Sequence, residues 1–107
     1  MNKILQASAE LAMIASLACA VSFAQSSGEA VYKAKCMNCH GSTGLANSGI
    51  GKLMKVKPVT DPSVRDMSKA KMIEVTRTGM GRMQGFKGEL TDAQINASIV
   101  YFRAFIK

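Results

Sequence analysis

An all-α fold is predicted by three observations on this 107-residue chain. Apolar residues recur at helical spacing near its C-terminus, where Ile95, Ile99, Phe102 and Ile106 form one stripe and Val100 widens it. Ser26/Glu29 and Thr91/Gln94 have the spacing of capping boxes, the local signature of a helix start. Strand-like alternation is missing, and no internal period suggests repeats. The length allows one small domain and no separate catalytic module.

The chain opens with Lys3 in a positive start, followed by an apolar run over residues 11–23, with Ser22 and Ala24 where a signal peptidase reads small side chains. Residues 1–24 are therefore expected to be a cleaved signal peptide, and residues 25–107 the mature domain. Glu10 shortens the apolar run below a comfortable membrane span. Cys19 follows Leu17-Ala18 as in a lipidation signal, but Ser16 stands where a large aliphatic residue is usual. Cleavage removes Cys19 and leaves two of the three cysteines in an exported chain.

The first mature helix is expected over residues 27–37, with Ser26 as its N-cap. Gly28 and Tyr32 share a face of it. A helical glycine costs about 1 kcal/mol relative to alanine, and close approach of a second helix would compensate. Residues 41–66 read as loop, with four glycines, Pro58 and Pro62, and short helical turns near residues 52–55 and 62–66. A loop this long in a compact domain is expected to wrap a ligand. Residues 68–78 form a helix with Met72, Ile73, Val75 and Thr76 on one side, ending at Gly79. Residues 79–89 are a second glycine-rich loop, and Thr91 opens the last helix, which runs to about residue 105.

The chemistry lies in Cys36-Met37-Asn38-Cys39-His40, a C-x-x-C-H run that reads as an attachment site for c-type haem. Two thiols at that spacing add to the two vinyl groups of one porphyrin, and the adjacent imidazole lies beneath the iron. Aromatic content is low, with four Phe, two Tyr and no Trp, so the protein core would be thin without such a group to pack on. A zinc site would have only three ligands from these residues, and the βαβ context of a redox dithiol is absent.

A second axial ligand must come from elsewhere. His40 is the one histidine of the chain, so two imidazoles from this chain are excluded. Methionine is the natural candidate, a soft thioether that raises the potential of haem iron. Met1 and Met13 leave with the leader, Met37 lies inside the attachment run, and Met67 and Met72 read as core filler. Met54, Met80 and Met83 lie in loops, the last two where glycines let backbone approach a flat ligand.

The attachment run after a helix with Gly28 and Tyr32 is one block of a larger pattern. The others are Gly79-x-Gly81-x-Met83-x-x-Phe86-x-Gly88-x-Leu90-Thr91-x-x-Gln94-Ile95 and Val100-Tyr101-Phe102-Arg103. Together they resemble the small bacterial class I cytochromes c over essentially the whole mature chain. The resemblance implies a cytochrome c fold, with three main helices and short turns wrapped around one haem c bound covalently through Cys36 and Cys39. It implies His40 and Met83 as the iron ligands, because the methionine before x-x-Phe takes that role; Met80 fails the spacing. Gln84 departs from the pattern, since many members have Pro there. The resemblance also implies that the first and last helices cross with Gly28 and Tyr32 against residues 99–101. It further implies that a backbone carbonyl, sought near Pro58, accepts the Nδ1 proton of His40.

The expected function is an exported, periplasmic, monomeric carrier of single electrons, not an enzyme. The net charge of +7 suggests redox partners with acidic docking faces or an anionic membrane surface. No nucleic-acid-binding pattern accompanies it. Lys33, Lys35, Lys52, Lys55, Lys57 and Lys87 are the candidates for steering. Two alternatives keep the haem: a dedicated electron-accepting subunit of a periplasmic dehydrogenase, and a five-coordinate, ligand-binding haem protein.

Overall fold

The computed structural model describes residues 27–107, which form six helices: α1 Gly28–Lys35, α2 Met37–His40, α3 Gly49–Leu53, α4 Pro62–Arg65, α5 Lys69–Thr78 and α6 Asp92–Arg103. The expected signal peptide, its cleavage site, Cys19 and Ser26 lie outside the described residues. Among the described residues no helix is long and apolar enough to cross a membrane.

The first helix starts one residue later than expected. Ser27, not Ser26, is the N-cap, its hydroxyl accepting from the Ala30 N–H at 3.1 Å. Glu29 instead pairs with Lys33 at 2.7 Å, one turn along the exposed face. The helix also ends sooner, at Lys35. Cys36, at φ −117°, separates it from α2, so the attachment run is a distinct short turn of helix.

α1 packs on α6 through Gly28. A β-carbon there would overlap the Ala97 carbonyl and lie 3.3 Å from Tyr101 Cβ. The crossing is therefore flanked by Ala97 and Tyr101, which overlaps the expected stretch and extends it one turn earlier. Tyr32 sits beside it, 1% exposed, with ring centroids of Tyr101, Phe102 and Phe105 at 5.3, 6.1 and 5.7 Å. Four of the six aromatic residues thus gather at one crossing, where offset and edge contacts add to the area they bury.

Ser68 caps α5, its hydroxyl accepting from the Lys71 N–H at 3.1 Å, and α5 buries Met72, Val75 and Thr76 against α6. The predicted capping box on α6 is present in full: the Gln94 N–H donates to Thr91 Oγ1 at 3.1 Å and the Thr91 N–H to Gln94 Oε1 at 2.9 Å. Ile95, Ile99 and Phe102 are buried, but Val100 is 52% exposed. One residue past Ile99 is about 100° around the helix, which places Val100 off the stripe.

Both loops are tied down. The Val59 N–H donates to the Gly44 carbonyl at 2.9 Å, closing the first loop around α3. In the second, the Phe86 and Lys87 N–H groups donate to the carbonyls of Thr76 and Arg77 at 2.9 and 3.0 Å. The strand-like features among the described residues are two isolated bridges, Met80 with Met83 and Lys87 with Leu90.

Candidate haem-binding site

The end of α1 turns directly into the site. The Tyr32 hydroxyl donates to the Gly41 carbonyl at 2.5 Å, fixing the chain just after His40. The Ala46 N–H donates to the His40 carbonyl at 2.9 Å. Ala46 holds φ +52°, an uncommon geometry for a residue with a β-carbon, to make that turn. α3 lies against α2 with no space between them: a β-carbon on Gly51 would come within 2.8 Å of the Ala46 carbonyl oxygen and against that of Cys39. The Ser48 hydroxyl, which caps α3, also donates to the Asn38 carbonyl at 2.6 Å.

These contacts set one wall of an open, apolar cavity of about 120 Å³. Tyr32, Cys36 and His40 line it from α1 and α2, Val64 and Met67 from α4 and the residues after it, and Met72, Val75 and Thr76 from α5. Met80 and Met83 line it from the second loop, and Ser98, Ile99 and Phe102 from α6. Its three buried hydroxyls are all satisfied by backbone: Tyr32 donates to the Gly41 carbonyl, and Thr76 donates to the Met72 carbonyl and Ser98 to the Ile95 carbonyl, the last two at 2.8 Å. The wall is consequently apolar in effect, with three thioethers besides Met83.

The structure brings together Cys36, His40 and Met83, three of the four residues predicted for the site. Cys39 is half-buried on α2 but does not line the cavity. Met67 and Met72 are wall as well as core filler, whereas Met54 and Met37 lie off the wall. Met80 stands on the same wall as Met83, which the spacing argument did not anticipate.

His40 departs from expectation at its outer nitrogen. Nδ1 is buried without a hydrogen-bond partner. It makes no hydrogen bond to the Pro58 carbonyl, which accepts the Asp61 N–H at 2.9 Å in the turn leading into α4. Phe102 packs edge-on against the imidazole, with centroids 5.4 Å apart. Burial lowers the imidazole pKa, favouring the neutral form that binds metals. Burial, and secondarily the neighbouring Cys39, push the Cys36 thiol up to about 11. The thiol is thus protonated and neutral at pH 7, as an apolar wall requires.

Arg103 is a wall-positioning residue that sequence reasoning missed. Its Nη1 donates to the Met67 carbonyl at 2.9 Å and lies 3.6 Å from Met72 Sδ, tying the end of α6 to two wall residues. The available signal was its position four residues after buried Ile99, on the inward side of the helix.

The residues present fit a covalently held haem. An apolar cavity is lined by a half-buried imidazole that burial keeps neutral, a neutral thiol one residue past the end of α1, and thioethers on the facing loop. Among the described residues, no three His, Cys, Asp or Glu side chains converge on a point where they could hold a metal ion by themselves.

Comparison with known proteins agrees with this geometry. Residues 23–102 match the family model described as cytochrome c oxidase, cbb3-type, subunit III. Among curated proteins none matches the chain. Among solved structures, the KustC0563 c-type cytochrome is 26% identical, with a TM-score of 0.68 over 77% of this chain and 100% of that one. An all-α chain with this attachment run, cavity and family match belongs to the cytochrome c family to which that model refers, and is a haem c electron-transfer protein with covalently attached haem.

Proposed function

We propose that the mature chain is a periplasmic monohaem carrier that holds haem c through Cys36 and Cys39 and ligates its iron with His40 and Met83. The observation that carries this reading is the meeting of His40 and Met83 on the wall of one apolar cavity, from elements more than forty residues apart. Bound there, the haem supplies a single one-electron couple.

The protein's own residues shape that couple. His40 offers a neutral imidazole fixed by α2 and by Phe102. Met83 offers a neutral thioether, which favours the reduced state and a higher potential. Val64, Val75, Ile99 and Phe102 exclude water, so the site disfavours the extra positive charge of the oxidised state. His40 and Met83 would together hold the haem iron and leave no position on it for a substrate, which is why the reading is a carrier and not an enzyme.

Partner recognition follows from the charge that is left free. Lys33 and Lys35, two of the six expected steering lysines, are engaged by Glu29 and Glu89 at 2.7 and 2.9 Å. Lys52, Lys55, Lys57 and Lys87 form no ion pair among the described residues. Three of these surround exposed Ile50 and Leu53 on and after α3, the helix that packs on the attachment run. Such a face suits a transient encounter with a redox partner of acidic surface, with an anionic membrane as a second attractor.

The test is electron exchange of the haem-loaded protein with an acidic redox partner across ionic strength. Lys52→Glu with Lys55→Glu is expected to slow the second-order rate about tenfold or more at low salt, with the difference closing as salt screens it. Lys33→Glu is expected to have a much smaller effect. Equal effects of the two changes would contradict the assignment of the docking face. Fast carbon monoxide binding by the reduced protein would favour the five-coordinate alternative.

A further inference from the structure

The second loop carries a structural feature that the proposed His40/Met83 site does not use. The Met80 N–H donates to the Met83 carbonyl and the Met83 N–H to the Met80 carbonyl, each at 3.0 Å. The two methionines are therefore a directly opposed, hydrogen-bonded pair closed by the two-residue turn Gly81-Arg82. Gly81 has φ +57° and Arg82 has no positive φ, the pattern of a type II′ hairpin turn.

Directly opposed residues of such a pair project their side chains to the same face of the ladder. That face is the cavity: both methionines line it, on the wall shared with His40. Their environments differ. Met83 is half-buried, whereas Met80 is 55% exposed and stands at the cavity mouth.

The loop holds the pair at its base and leaves its tip free. Gly79, at φ +85°, is packed so closely that a β-carbon would lie 2.9 Å from the Met83 carbonyl oxygen and from the Gly85 nitrogen. Around Gly81 a β-carbon would meet nothing within 4 Å. With space around the tip and three rotatable bonds in each methionine, either sulfur would be able to reach the same point without unfolding of the loop.

We infer that Met80 is a reserve axial ligand, which takes the iron position when Met83 leaves it and so keeps the site closed to outside ligands. The inference rests on the His40/Met83 reading above. It adds a second, interchangeable thioether supplied by the same hairpin.

The test compares four haem-loaded proteins: wild type, Met80→Leu, Met83→Leu and the double variant. Leucine keeps the side-chain bulk and removes the sulfur, so loss of packing is minimised. The readouts are the near-infrared methionine-to-iron band of the oxidised protein and the shifted methyl resonance of [13C-methyl]methionine in the reduced protein. Expected are an unchanged spectrum for Met80→Leu, a retained band with a displaced methyl resonance for Met83→Leu, and loss of both signals in the double variant. If Met83→Leu already matches the double variant, Met80 is no ligand and the inference fails, while the Met83 assignment stands. If Met80→Leu displaces the resonance and Met83→Leu leaves it unchanged, or if the wild type lacks the band, the His40/Met83 reading fails and this inference with it.

Discussion

Replacing Gly28 by Ala is expected to lower the unfolding free energy by about 3 kcal/mol, the upper end of the cost of overpacking. The reason is that the added methyl group meets backbone. It would overlap the Ala97 carbonyl of α6, and Tyr101 Cβ stands 3.3 Å away on the other side. Neither neighbour is the far end of a flexible side chain, so α1 and α6 must separate. Separation loosens Tyr32 from Tyr101, Phe102 and Phe105, and with it the hydrogen bond to the Gly41 carbonyl that fixes the chain after His40. Gly49→Ala is the matched control, because a β-carbon there meets nothing within 4 Å. Thermal unfolding of the haem-loaded protein followed by circular dichroism checks this. A fall of more than about 10 °C is expected for Gly28→Ala, since each kcal/mol shifts the midpoint of a domain this size by about 4–8 °C. Equal midpoints for Gly28→Ala and Gly49→Ala would show that the helix crossing is not the close contact described.

The second large effect is expected at Gly85. A β-carbon there would lie 2.7 Å from the Arg77 carbonyl oxygen and 2.7 and 2.9 Å from the carbonyl carbon and oxygen of Thr78. All three are backbone atoms at the end of α5. Gly85→Ala therefore lifts the second loop off α5 and breaks the bonds from the Phe86 and Lys87 N–H groups to Thr76 and Arg77. Met80 and Met83 belong to the segment that is lifted. Loss of the near-infrared methionine band is expected, together with an overpacking cost of about 1–3 kcal/mol. Because both thioethers move together, this variant is expected to resemble the double methionine variant more than either single one. An intact band in a folded Gly85→Ala protein would mean that the loop is not anchored where the glycine contacts place it.

Much of this architecture is legible in local patterns. The Thr91/Gln94 box and the stop at Gly79 depend on residues within one turn of each other, and each is found where its spacing places it, while Ser68, expected as the first residue of its helix, is the cap instead. The first cap was misplaced because Ser26 and Ser27 are adjacent and both suit the role. The Glu29 that pointed to Ser26 is held by Lys33. Residue spacing around Met83 picked out a cavity-lining thioether, but spacing carries no information on Met80, whose place on the same wall comes from hairpin geometry.

What could not be read depended on long-range contacts. Lys35 is neutralised by Glu89, 54 residues away, so counting lysines overstates the charge available for steering. Arg103 reaches Met67, 36 residues earlier, through a fork that no periodicity encodes. The Pro58 carbonyl takes the N–H of Asp61, which caps α4, and makes no bond to His40 Nδ1. For Lys35 and Arg103 a partner distant in sequence determined the use of the side chain, whereas at Pro58 a local turn did.

The near-infrared spectrum of the oxidised, haem-loaded wild type tests the central claim most directly. A six-coordinate site built from His40 and Met83 predicts a methionine-to-iron band that persists in Met54→Leu and Met67→Leu. A spectrum without that band would contradict the axial pair, and with it the reading of this chain as a closed-site electron carrier.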